Sequence, residues 1–220
     1  MLVLSLLVAC GGGSLPPPPP YTPVDSPEPA TRCPDQRAAA KQAREDHLEK
    51  GTSQTRAAVA QAVFAQAECE RDSFDNTAID APAQARMIEN LRAARQQYLA
   101  ARNLYLEVAN YQALEWAVGA HSRHGDLEAD FADRLRAARP PGDISDAQDR
   151  AAFLTQLGDF AQTYDAQAVV AWREALRAAA LLPSLADTDR RVAGWVDAAC
   201  AGLRRLGATP GTESAMCNRN

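Results

Sequence analysis

His121 and His124 stand three residues apart, with Asp126 and Glu128 just beyond them. On a continuous helix, positions i and i+3 share a face, so this pair has the residue types and spacing to bind zinc. Gly125 interrupts that face. No Glu stands three residues ahead of either His to build the Glu-x-x-His ligand pair of a metal-binding bundle. The pattern therefore suits a solvated helix end, with histidine near the negative pole of the helix dipole, and no metal ligand is assigned. His47, between Asp46 and Glu49, reads as a surface residue.

Carboxylates gather at Glu45-Asp46, at Glu68, Glu70 and Asp72, and at Glu128, Asp130 and Asp133. A pair of acids facing each other across a cleft would suit glycoside hydrolysis. Each group here lies among arginines on what the periodicity marks as a polar helix face, so solvated surface is the simpler expectation. Tyr98, Tyr105 and Tyr111 either line a groove or pack in a core with their hydroxyls at the rim. The chain has no Gly-x-Ser-x-Gly, no glycine-rich phosphate loop and no His-Glu-x-x-His. No catalytic residue is assigned and no cofactor is expected; the chain is read as a non-enzyme.

The elements that must carry these residues are helices. Alanine makes up much of the 46% of the residues that are hydrophobic, aromatics are only 6%, and runs of β-branched residues are absent. Such a composition favours close-packed helices over strands. The net charge of −5, from 28 acidic and 23 basic residues, argues against a nucleic-acid partner.

The chain opens Met1-Leu-Val-Leu-Ser-Leu-Leu-Val-Ala-Cys10, an apolar run too short to span a bilayer. Leu7-Val8-Ala9-Cys10 resembles the lipobox of bacterial lipoproteins. The resemblance implies that residues 1–10 are a lipoprotein signal peptide and that Cys10 is lipidated. Gly11, in place of an aspartate, then implies an outer-membrane protein facing the periplasm. A buried cysteine after a short strand is the other reading of the same run. Residues 11–32 hold Pro16 to Pro20, Pro23, Pro27 and Pro29, which favour extended polyproline II over helix or sheet. At ~3.1 Å per residue this tether would reach about 60 Å. A disordered tail and a proline-rich ligand for a partner domain are its other readings.

Residues 33–207 form the expected helical domain, and 208–220 an irregular tail. Asp35 caps a first helix, and Gly51 with Thr52 and Ser53 turns it into a second run over Ala57 to Cys69. The rival is one unbroken helix through Gly51. Asp72 to Pro82 reads as a loop. From Ala83 an apolar stripe of Met87, Leu91, Ala94, Tyr98, Ala101, Tyr105, Val108 and Trp116 predicts one long helix. Leu104, Tyr111 and Val118 add a second stripe, as on an inner helix. Gly119 to Gly125 should weaken that helix ahead of a short one over Leu127, Phe131 and Leu135, ended by Pro140-Pro141. Ser145-Asp-Ala-Gln148 reads as a capping box for the longest run, which carries Phe153, Leu157, Phe160, Tyr164, Trp172 and Leu176, with Gly158 as its soft spot. Asp187 or Thr188 caps the last helix, with Val192, Trp195, Val196, Ala199, Leu203 and Leu206 on its face. Gly207 and Pro210 end it.

Over roughly residues 98–200 the chain resembles tetratricopeptide-type envelope proteins of δ-proteobacteria. The resemblance is carried by Trp116, Gly125, Leu127, Phe131, Leu135, Pro140-Pro141, Trp172, Leu176 and Trp195. It implies an all-α, antiparallel array of long helices, a solenoid-like fragment that acts as an interaction scaffold. The expected function is thus a lipid-anchored cell-envelope scaffold binding other envelope proteins. The alternative is a periplasmic helical domain binding a small ligand or cell-wall fragment between its helices.

Four cysteines remain beside Cys10, an even set for an oxidising compartment. Cys33 and Cys69 each lie eighteen residues from Gly51. A turn at Gly51 brings them together, whereas one straight helix would hold them about 54 Å apart. The tail after Gly207 can fold Cys217 back to Cys200. The expected bridges are Cys33–Cys69 and Cys200–Cys217, with free buried thiols as the alternative.

Overall fold

Gly51 ends the first helix in the left-handed region (φ 60°) and donates its N–H to the His47 carbonyl. Thr52 opens the next helix: its hydroxyl accepts from Thr55 N, and the Thr55 hydroxyl accepts from Thr52 N, both at 3.1 Å. A glycine cap followed by a reciprocal N-terminal cap stops one helix and starts another within two residues. The result is a hairpin of α1 (Pro34–Lys50) and α2 (Ser53–Asp75). The computed structural model describes residues 33–183, 190–209, 211 and 214–218. The lipobox with Cys10, the proline-rich segment, the caps expected at Asp187 and Thr188, and Pro210 lie outside the described residues.

Five further helices follow: α3 (Gln84–Asn110), α4 (Leu114–Ala137), α5 (Ala147–Ala180), α6 (Arg190–Arg205) and the one-turn α7 (Ser214–Cys217). The chain is an all-α array with no strand among the described residues. Each helix from α1 to α6 packs on the next, and α4 also packs on α2 and α6. α4 is therefore the centre, and more than half of its residues are buried. No helix among the described residues is long and apolar enough to cross a membrane.

Several boundaries differ from the sequence expectations. α2 runs on through Asp72 to Asp75, so the loop to Pro82 is shorter than its polarity suggests. The long helix expected from Ala83 to Val118 breaks at Tyr111–Ala113, where Gln112 takes a φ of 57°. Both stripes suited a single helix, but the turn reverses the chain so that α4 can fold back on α3. Conversely, Gly119 and Gly125 do not weaken a helix, and the Leu127–Leu135 face belongs to the unbroken α4. A Cβ on Gly125 would lie 2.5 Å from the Trp172 ring, and one on Gly202 2.4 Å from it. The indole thus fits between α4 and α6 only because both positions lack a side chain. Gly119 gives Trp195 the same freedom, with a would-be Cβ at 2.8 Å. The N-cap of α5 is Asp146 rather than Ser145: its carboxylate accepts from Gln148 N at 2.7 Å and Asp149 N at 3.0 Å. The tail expected to be irregular contains α7.

Two apolar clusters meet at Trp195. One holds α1 to α4 with the first half of α5, around Phe74, Tyr98 and Phe131. The other surrounds Trp172 with Leu176, Val196 and Leu203. Each cluster has a disulfide at its edge. Cys33 joins Cys69 with a Cα–Cα distance of 6.1 Å, tying the start of α1 to α2. Cys200 joins Cys217 at 5.5 Å, holding α7 against α6.

Candidate functional site

Glu128 is fully buried at the centre of α4. Three donors converge on its Oε1: the Tyr98 hydroxyl at 2.7 Å, His124 Nε2 at 2.9 Å and Arg102 Nε at 3.3 Å. Its Oε2 has no hydrogen-bond partner. His124 lies one turn earlier on the same helix, while Tyr98 and Arg102 come one turn apart from α3. Burial, reinforced by the Glu128 charge and hydrogen bond, pushes the Tyr98 hydroxyl pKa well up, so the phenol stays protonated as the donor. This corrects three expectations. His124 is buried rather than at a solvated helix end, Glu128 is not on a solvated face, and the Tyr98 hydroxyl lies inside rather than at a rim.

His121 sits one turn before His124's neighbour Gly125 and is half-buried. Burial, with His124 close by, lowers its pKa, and Glu174 opposes the shift. Among the described residues no three His, Cys, Asp or Glu side chains are grouped to hold a metal ion. His47 is partly covered: Nδ1 is 3.0 Å from the Thr55 hydroxyl, and the ring stands edge-on to Tyr111 at 5.8 Å.

A second polar layer links α2 to α4. Burial raises the pKa of Glu68, but hydrogen bonds and charge from Arg123, with the Tyr105 hydroxyl, outweigh it and leave it lowered. Arg123 grips both Glu68 oxygens, with Nε to Oε1 at 3.0 Å and Nη2 to Oε2 at 2.7 Å. The Tyr105 hydroxyl also donates to Glu68 Oε1. Glu70, buried where Glu68 is only partly covered, holds Arg37 of α1 at 2.6 Å. Arg44 reaches both oxygens of Glu107 at 2.6 and 2.9 Å, and Tyr111 donates to Glu107 at 2.7 Å. Burial, with the Glu107 hydrogen bond and charge, pushes the Tyr111 hydroxyl up to about 12. The acids read as solvated surface are thus, in good part, the partners that hold the helices together.

The same layer opens to solvent at a cleft of about 410 Å³ where α2, α4, α5 and α6 converge. Arg71, Asp126, Asp130 and Trp172 line it from α2, α4 and α5, and Ala198, Ala201, Gly202 and Arg205 from α6. Trp172 Nε1 donates to Asp126 Oδ1 at 3.1 Å, and Arg123 Nη1 to Asp126 Oδ2 at 3.3 Å. Arg71 donates through Nη2 to Asp130 Oδ2. Burial raises the Asp130 pKa; the Arg71 charge opposes this, and the charges of Asp126 and Asp75 add to it. This cleft was not read from the sequence. The signal was there: Arg71 lies four residues after Ala67 and three before Phe74, on the buried face of α2. Glu128 likewise lies three before Phe131 and seven before Leu135.

The enclosed Glu128 group couples α3 to α4 and offers no entrance for a solute. The cleft does offer one, with charges of both signs at its wall and a small apolar patch on α6, a combination suited to orienting a small ligand. Comparison of the chain with protein-family profiles, with characterised proteins and with solved structures found no match.

Proposed function

We propose that this chain is a lipid-anchored cell-envelope scaffold that binds another protein through the first half of α5. The observation that carries the reading is an apolar surface there. Leu154 and Phe160 are 46% and 45% exposed, and they flank buried Leu157 beside half-buried Phe153. Leu154 and Phe160 each lie three residues from Leu157, so they border it on either side of the helix. Neighbouring exposed apolar residues are a common mark of a protein-binding surface. The anchor rests on Leu7-Val8-Ala9-Cys10, and the proline-rich stretch after it supplies a spacer. Two cysteine pairs suit an oxidising compartment such as the periplasm. The acidic balance gives no footing for nucleic acid.

A photo-crosslinking residue at position 160, in the full chain on membranes, should give protein adducts that a residue at position 162 on the far side of the helix does not. Leu154→Asp with Phe160→Asp should abolish capture while leaving the helical content intact. Equal adducts from both positions would sink the reading. For the anchor, Cys10→Ser should move the protein from the membrane fraction to the soluble one; an unmodified Cys10 by mass spectrometry would remove that part.

A further inference from the structure

The cleft beside Trp172 is lined by charged side chains and by a small apolar patch on α6. Ala198, Ala201 and Gly202 of α6 recur at steps of three and four, so they share a face. Gly202 is spent on the Trp172 ring. The two alanines leave the remaining space open.

The ionic wall is incompletely matched. Arg71, whose side chain is only 9% exposed, uses Nη2 on Asp130. Its Nη1 is buried with no hydrogen-bond partner, 3.9 Å from Asp126 Oδ2 and so beyond hydrogen-bond reach. Asp126 cannot readily turn to meet it, because Trp172 and Arg123 already hold its two oxygens. Asp130, 41% exposed, meets Arg71 through Oδ2, which leaves its other oxygen as an acceptor. Arg205, 48% exposed, pairs with Asp133 through Nη1 at 2.6 Å, which leaves its other guanidinium nitrogens as donors. One cleft therefore lacks an acceptor at Arg71 and a donor at Asp130.

We propose that the cleft binds a small zwitterion, an α-amino acid or short peptide with small apolar side chains. Its carboxylate meets Arg71 and Arg205, its ammonium group meets Asp130, and its side chains lie against Ala198 and Ala201. A simple anion would face the Asp126 and Asp130 carboxylates, and a simple cation would face Arg71 and Arg205. Only a ligand carrying both charges matches both halves of the wall. The site is built from α2, α4, α6 and Trp172 of α5, none of them part of the Phe153–Phe160 surface, so it stands or falls independently of the scaffold reading.

Dialanine is titrated into the full chain, followed by calorimetry and by the indole N–H resonances, with acetate and methylammonium as single-charge controls. Dialanine should bind saturably and shift one of the three indole signals, that of Trp172. Both controls should bind at least about tenfold more weakly, the loss expected when one charge-assisted contact goes. Ala201→Phe, placed at an exposed position to fill the cleft, should abolish binding. Asp130→Asn should weaken it at least about tenfold. Both variants are first checked for unchanged melting and helical content. The proposal is overturned if dialanine shows no saturation at millimolar concentration, if folded Ala201→Phe binds as well as the original chain, or if either control binds as tightly as dialanine.

Discussion

At the scale of single residues, Glu128 shows how a charge is kept inside an alanine-rich array. A buried carboxylate is tolerated when donors surround it, and Tyr98, His124 and Arg102 do so at one oxygen. Removing the acid leaves those donors facing a void. Glu128→Ala is expected to cost about 3–5 kcal/mol in urea unfolding, and Glu128→Gln clearly less, since the amide still accepts from Tyr98. Equal losses for the two would mean that the contacts matter only through packed volume. His121 sets a pH dependence of definite sign. Its pKa is lowered in the fold, so below the ordinary value near 6.5 the unfolded chain takes up a proton that the folded chain declines. Stability should therefore fall as pH drops from about 6.5 to the folded pKa, and His121→Gln should flatten that limb of the curve. Glu68, with its pKa lowered, adds a further loss below about 4.5, whereas Asp130, with its pKa raised, opposes it just above 3.8.

At the scale of elements, glycine has opposite meanings along the chain. Gly125 and Gly202 face the two sides of Trp172, and added methyl groups would meet ring atoms at 2.5 and 2.4 Å. Gly125→Ala or Gly202→Ala should destabilise by about 1–3 kcal/mol through overpacking. Gly158 lies within α5 with nothing within 4 Å of a would-be Cβ. Gly158→Ala should stabilise by roughly 0.5–1 kcal/mol, because alanine loses less backbone freedom in a helix. Melting the three variants side by side tests the contrast, and a stabilising Gly202→Ala would contradict the clamp around Trp172. Helix ends follow the same logic of distant supply. The Ala83 methyl cannot accept a hydrogen bond to cap α3, so Asp143 from the α4–α5 loop accepts from Gln84 N at 3.0 Å. Arg134 of α4 donates to the Phe74 carbonyl at the end of α2 at 2.7 Å and lies over the Phe74 ring at 4.4 Å.

At the scale of the molecule, the two disulfides close loops around the weakest parts. Among the described residues, α1 has only Ala40 buried, and the tail beyond α6 only Met216. By loop entropy the 36-residue separation of Cys33–Cys69 is worth about 4 kcal/mol, and the 17-residue separation of Cys200–Cys217 about 3. Non-reducing peptide mapping should find these two linkages, and reduction should release α1 to protease well before α4. A Cys33–Cys200 linkage would mean that α1 does not fold back on α2. Much of this architecture was legible in the residues alone. Helicity follows from alanine content and three-to-four spacing, and the α1–α2 turn from Gly51 and Thr52, because each signal acts within a few residues. Tertiary structure alone decided the break at Gln112, the burial of Glu128 and the use of Gly125. Arg71 meets Asp130 across 59 residues of chain, and Trp172 meets Asp126 across 46. Periodicity shows which face of a helix is apolar, but a charged residue on that face is buried or exposed according to the partner that a distant helix brings to it.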